Sequence, residues 1–188
     1  MKRAFHALLA MLLLPSLVAC ATADLPPIQP VAQVNLPKFM GCWYVIASIS
    51  PSFAKDTYNS RECYRLERNG HEVATRFHYR AGAFDGPRKT VHSTGFVDTR
   101  QGNAVWGVQF IWPFRAQYIV AYLAPGYQST IIARDARDYA WIMARTPTVP
   151  ASEYQQLVGR LRALGYSLKH LRKEPQRWPD PPMVARSP

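Results

Sequence analysis

Acidic residues are scarce in this chain of 188 residues: 12 Asp and Glu stand against 23 Lys and Arg, a formal net charge of +11. Such a balance favours anionic surfaces or acidic ligands. The basic residues do not cluster on one segment, so a nucleic-acid partner is not expected. Cysteine is also rare, with three in all and no C-x-x-C pair, and the five histidines form no H-x-x-x-H. The usual frames for a structural or catalytic metal are therefore missing. No glycine-rich phosphate loop is present, and no Ser or Cys sits with a His and an acid in a recognisable catalytic motif. The expectation is a protein without catalytic residues, metal or cofactor.

The one long apolar run lies at the start. Lys2 and Arg3 precede the Leu-rich stretch Ala4 to Val18, and Leu17-Val18-Ala19-Cys20 closes it with small residues and a cysteine. That order marks a secretory signal over residues 1–19, and the run is too short for a membrane span of roughly 20 residues. The end "LVAC" resembles a bacterial lipobox, in which Cys20 is lipidated and becomes the first mature residue. The alternative is a plain cleavable signal in which Cys20 is incidental. By the same resemblance Ala21, which is not acidic, implies sorting to the outer membrane, with the leaflet left open. Residues 20–37 are proline-rich and read as an extended tether. Residues 38–178 form one domain, and 179–188, again proline-rich, read as a disordered tail.

Between these ends turn signals recur about every ten residues. Strands are expected at Met40–Ile49, Asn59–Glu67, Glu72–Arg80, Lys89–Asp98, Ala104–Trp112, Tyr118–Leu123, Gln128–Arg134 and Tyr139–Arg145. Asn69-Gly70 is a strong hairpin signal. Alternation within the strands puts alternate side chains on opposite faces of a sheet. A single helix follows, with Ser152 and Gln155 as a capping box, an apolar stripe of Tyr154, Leu157, Val158, Leu161 and Leu164, and Gly165 as its C-terminal cap. Ser167–Leu171 reads as a short final strand. The fold expected is all-β: an eight-stranded antiparallel up-and-down barrel with one helix packed on its wall. A sandwich is the alternative.

Three segments carry a resemblance. "GCWYVIA", from Gly41, resembles the Gly-x-Trp signature of the lipocalins. "RDARDYAWIMARTP", Arg134 to Pro147, is similar to their later paired signatures, with Asp138-Tyr139 at the turn and Arg145 as the arginine that packs over the tryptophan. "FIWPF", Phe110 to Phe114, is similar to a segment of the bacterial outer-membrane lipocalins of the Blc type; apolipoprotein D is a more distant cousin. The resemblance implies a cup whose floor is sealed by Gly41, Trp43 and Arg145. It also implies a lipid-binding cavity, holding a fatty acid or lysophospholipid, in a protein tied to outer-membrane lipid through Cys20. A homodimer is left open.

Alternation from Trp43 assigns Val45, Ala47, Tyr64, Phe77, Tyr79, Val108, Phe110, Trp112, Tyr118 and Tyr122 to the cavity wall. Arg76, Arg80 and Arg115 are candidates for contact with a ligand head group, although Arg76 and Arg80 alternate outward. Cys42 and Cys63 also alternate outward and can meet across a hairpin of the first two strands as a disulfide, in the oxidising compartment that the signal implies. Prostaglandin D synthase, an enzymatic lipocalin, uses a thiol inside its cup, and outward cysteines argue against that chemistry. The other readings are an enzyme acting on a lipophilic substrate and a ligand-free structural envelope lipoprotein.

Overall fold

The structure is a computed structural model and describes residues 25–50 and 56–180. The signal segment, Cys20, and residues 181–188 of the expected tail lie outside the described residues. Eight strands follow one another in an antiparallel meander: β1 (Gly41–Ile49), β2 (Thr57–Leu66), β3 (Glu72–Ala81), β4 (Arg88–Asp98), β5 (Val105–Ile111), β6 (Phe114–Leu123), β7 (Ser129–Ala133) and β8 (Ala140–Ala144). β1 pairs with both β8 and β2, which closes the sheet into a barrel. Closure removes the free edges near the floor; toward the rim β1 and β2 are no longer paired with each other. Its alternate hairpins fall at opposite ends. The β1–β2, β3–β4, β5–β6 and β7–β8 connections form one rim. The other end is the floor.

The barrel has two apolar cores. Inside, at the floor, Phe39, Trp43, Val45, Tyr64, Val73, Trp106 and Tyr118 pack together. Outside, Ile46, Ile119, Ile131 and Ile142 on β1 and β6–β8 pack against Leu157 and Leu161 of the helix α2 (Ala151–Ala163). A short helix α1 (Leu36–Phe39), capped by the Asn35 side chain, delivers Phe39 to the floor.

The capping box expected at Ser152 is not formed. The helix begins two residues earlier, with Pro150 as its N-cap, and that cap makes no side-chain hydrogen bond. Pro150 in an extended conformation sets that start, so Ser152 already lies within the first turn. Gly165 does end the helix, at φ +89°, and a Cβ there would stand 3.0 Å from Leu25 Cδ1. In place of a strand at Ser167–Leu171 there is a single tight turn, Leu168–His170, followed by the two-residue strand β9 (Arg172–Lys173) on β1.

Both flanking segments dock on the barrel. Ile28 N–H donates to Asp135 (2.7 Å), Val31 N–H to the Val120 carbonyl (2.9 Å) and Val34 N–H to the Gly102 carbonyl (2.8 Å). From Leu25 onward the proline-rich segment is thus laid along the wall and does not hang free. At the other end Asp180 accepts from Arg80 (3.1 Å) and Arg88 (2.9 Å), so the ordered domain runs past Trp178 to at least Asp180.

Cys42 and Cys63 face each other across β1 and β2 and form a disulfide. The loop it closes spans 21 residues, a length for which chain entropy alone stabilises by about 3 kcal/mol.

Candidate ligand cavity

The floor is built from residues that the chain brings together over long range. Gly41 opens β1 at φ +88°, and a Cβ there would come 3.4 Å from Arg145 Nη1. A glycine suits both the positive φ and the close approach. The Arg145 guanidinium lies 3.8 Å from the Trp43 ring centroid. It donates to the carbonyls of Lys38 (2.8 Å), Phe39 (3.1 Å) and Cys42 (3.1 Å). The Trp43 indole N–H donates to the Phe39 carbonyl at 2.9 Å. Above Trp43 the rings of Phe39, Tyr64, Trp106 and Tyr118 meet at centroid distances of 4.9 to 5.7 Å, a closed aromatic plug.

Over this plug stands a cavity of about 400 Å³, within the range of small-molecule sites. Val108, Ala116, Val91 and Phe77 line it, with Trp141 stacked on Phe77 at 5.7 Å. A few polar groups interrupt the apolar wall. The Tyr64 and Tyr118 hydroxyls hydrogen-bond each other at 2.7 Å, and burial pushes both phenols well above their usual ionisation range. Thr75 and Ser93 hydrogen-bond across β3 and β4. Glu62 is 4% exposed on the same inward face, and burial pushes its carboxyl up to about 8, partly offset by a hydrogen bond from Thr75. At the rim Arg134 and Asp138 pair at 3.0 Å. Tyr139 donates to the Gln117 carbonyl, and burial raises its phenol to about 12. The Tyr166 hydroxyl, behind α2, accepts from Arg134 N–H and donates to backbone carbonyls of the same β7–β8 loop, fixing it.

A family model for the lipocalin-like domain matches residues 34–176. The chain belongs to the lipocalin family. Among curated relatives, temperature-induced lipocalin-1 of Arabidopsis thaliana is 30% identical, the match covering 79% of this chain and 82% of that one. Outer membrane lipoprotein Blc of Escherichia coli is 25% identical (81% and 86%), and bovine apolipoprotein D 29% (66% and 67%). Among solved structures, insecticyanin of the tobacco hornworm Manduca sexta superposes with a TM-score of 0.64 at 11% identity, covering 82% of this chain and 87% of that one. Lobster apocrustacyanin A1 gives 0.60 at 11% identity, covering 76% and 80%. Lipocalins bind small hydrophobic ligands, and this lipocalin has the cavity for one.

Of the residues assigned to the wall from alternation, Tyr64, Phe77, Val108, Phe110 and Tyr118 line the cavity. Val45 is buried in the inner core without lining the cavity. Tyr79 stacks on Phe77 at 5.2 Å but faces a separate recess near the rim. Three residues are placed otherwise. Ala47 and Tyr122 belong to the outer core beneath α2. The β1–β8 register shifts between Val45 and Ala47, and the β6–β7 register between Val120 and Tyr122. Each bulge moves every later side chain to the other face. Trp112 is 82% exposed, because β5 ends at Ile111 and the chain turns before the tryptophan can reach the interior. None of the arginines proposed for a head group lines the cavity. Arg76 is exposed, Arg80 is held by Asp180 and the Gly86 carbonyl, and Arg115 lies over the Phe96 ring at 3.5 Å. Arg134 lines the mouth instead. Glu62 shares the parity of Tyr64 and was legible as inward on that ground. Its charge, which ordinarily implies the solvent face, hid it.

Proposed function

We propose that this lipocalin is a carrier anchored to the outer membrane through Cys20, which stores or transports a single-chain amphiphile, a fatty acid or lysophospholipid, in maintenance of the envelope. The observation that carries the reading is the apolar cavity, stoppered at one end and open at the rim. Burying an acyl chain there is worth about 0.8 kcal/mol per methylene. The head group stays at the mouth, where Arg134 supplies a cation. The chemistry is binding without catalysis: the two cysteines at the floor are joined as a disulfide, so neither offers a thiol to the cavity.

Two features support a membrane-facing mouth. The β5–β6 hairpin projects Phe110, Ile111, Trp112 and Phe114 from the rim at 48%, 73%, 82% and 76% exposure. The first described residues also lie at this end: Arg137 of the β7–β8 loop donates to the Pro26 carbonyl at 2.6 Å. The described chain therefore begins beside the rim.

Trp141 in the wall gives the test. Titration with a long-chain fatty acid or lysophospholipid quenches its fluorescence at micromolar ligand, and Trp141→Phe removes most of the signal while the complex still forms. Failure of both amphiphiles to bind, by this signal and by native mass spectrometry, sinks the reading.

A further inference from the structure

The inner end of the cavity holds a group that an acyl chain does not satisfy. Glu62 stands opposite Trp43 on β1 and Phe77 on β3, one inward position above Tyr64. It is among the residues lining the cavity, directly over the aromatic plug. Thr75 serves one side of its carboxyl. Oε2 is buried and has no hydrogen-bond partner among the described residues. A buried polar atom left unpaired is destabilising, and a methyl end of a bound chain leaves it unpaired. Several other inward positions on these strands are apolar, so a carboxyl at this depth is not demanded by packing.

Resting on the carrier reading above, we infer that Glu62 is a ligand anchor: its carboxylic acid donates from Oε2 to a neutral hydroxyl or carbonyl oxygen at the inner end of an otherwise apolar chain. The cup on this view selects oxygenated chains, such as fatty alcohols entering head-first or chains carrying a hydroxyl or keto group remote from the ionic head. A carboxylate is rejected at this depth, since its charge finds no cation beside Glu62 and its oxygens compete for one proton.

Among the described groups that face it, Glu62 alone titrates near pH 8. Tyr64 on β2 and Tyr118 on β6 are buried phenols held well above their usual range, and β1 and β3 contribute Trp43, Phe77 and Thr75. Tyr139, raised to about 12, and the Arg134–Asp138 pair stand at the rim.

The test is competition against a fluorescent naphthylamine bound in the cup of the purified protein. Decan-2-one, whose carbonyl can only accept, chlorodecane and decylamine are the competitors. Wild type prefers decan-2-one over chlorodecane about tenfold at pH 6, the worth of one buried hydrogen bond. The preference fades as pH rises through about 8, because the carboxylate has no proton to donate. Glu62→Gln, whose amide still donates, keeps the preference and loses its pH dependence. Glu62→Leu abolishes the preference. Should the leucine variant fail to fold, the glutamine variant alone decides through the pH profile. Equal binding of decan-2-one and chlorodecane by wild type overturns this inference and leaves the carrier reading standing. So does decylamine as the strongest competitor with affinity rising with pH, which would make Glu62 an anionic anchor. No displacement by any compound in any variant overturns both.

Discussion

Arg145 shows how much one side chain can hold when it closes the end of a barrel. It covers one face of Trp43 and donates to three carbonyls of α1 and the start of β1, of which the Phe39 carbonyl also accepts from Trp43. The stacking contributes about 0.5–2 kcal/mol and the charged hydrogen bonds about as much again. Arg145→Met is expected to lower stability by about 2–3 kcal/mol in urea denaturation, with Arg145→Lys recovering only part, because an ammonium cannot present a planar fork to several carbonyls. Glu62 acts in the opposite sense. Its folded pKa, near 8, is above the ordinary value of 4.5, so the folded state binds the extra proton. The stability it contributes is full below pH 4.5 and is lost as pH rises from there to about 8. The loss amounts to about 4 kcal/mol at pH 8. Glu62→Gln should therefore melt higher than wild type at pH 8 and nearly level with it at pH 4.5. An equal difference at the two values would mean the carboxyl is solvated.

At the scale of elements, the barrel is partly open along the seam between β1 and β2. They pair only from Gly41 to Tyr44 against Arg61 to Tyr64 and then diverge. The disulfide pins the paired part. The chain after β9 bridges the rest: Gln176 Nε2 donates to the Val45 (2.8 Å) and Ser60 (3.0 Å) carbonyls. Glu174 N–H donates to the Ile46 carbonyl and Asn59 N–H to the Pro175 carbonyl, each at 2.9 Å. One side chain thus stands in for ladder bonds on two strands. Gln176→Ala leaves both carbonyls short of a donor and is expected to cost about 1–2 kcal/mol. Gln176→Glu, which cannot donate when ionised, should cost at least as much. Hydrogen exchange of β1 and β2 amides beyond Tyr44 and Arg61 would rise in both variants. Unchanged exchange there would show that the seam is held by other means.

Taken as a whole molecule, the barrel is polarised. One end is plugged by aromatics and Arg145, and the other carries the open cavity and an exposed apolar hairpin within a strongly basic chain. Exposed aromatics beside cationic charge are the features of a surface that enters the lipid interface. Anionic vesicles should shift Trp112 emission to the blue. The double variant Ile111→Ser, Trp112→Ser should bind them at least about tenfold more weakly, since each large side chain removed takes about 1.5–3 kcal/mol of burial with it. Equal binding by the variant would place the contact elsewhere on the molecule.

The sequence by itself determined the repeating unit: strand, turn, strand, eight times, then one helix with a stripe at Leu157 and Leu161. Alternation, the Asn69-Gly70 turn and the helical period are local properties, and they carried the meander and the outward disulfide; the indole–guanidinium floor came from the resemblance to the lipocalins. Tertiary structure decided what local periodicity cannot. Parity along a strand holds only until a bulge, and the bulges near Ile46 and Ala121 are set by how β1 and β6 fit their neighbours, which is why Ala47 and Tyr122 turned to the helix. Trp112 was lost from the wall because the hairpin ended short of it. Docking of the segment from Leu25 and of Asp180 depends on partners about a hundred residues away, Asp135 and Arg80 among them. The same holds for Glu62: alternation turned it inward, but only the closed barrel, by removing water from around it, made its carboxyl a buried acid.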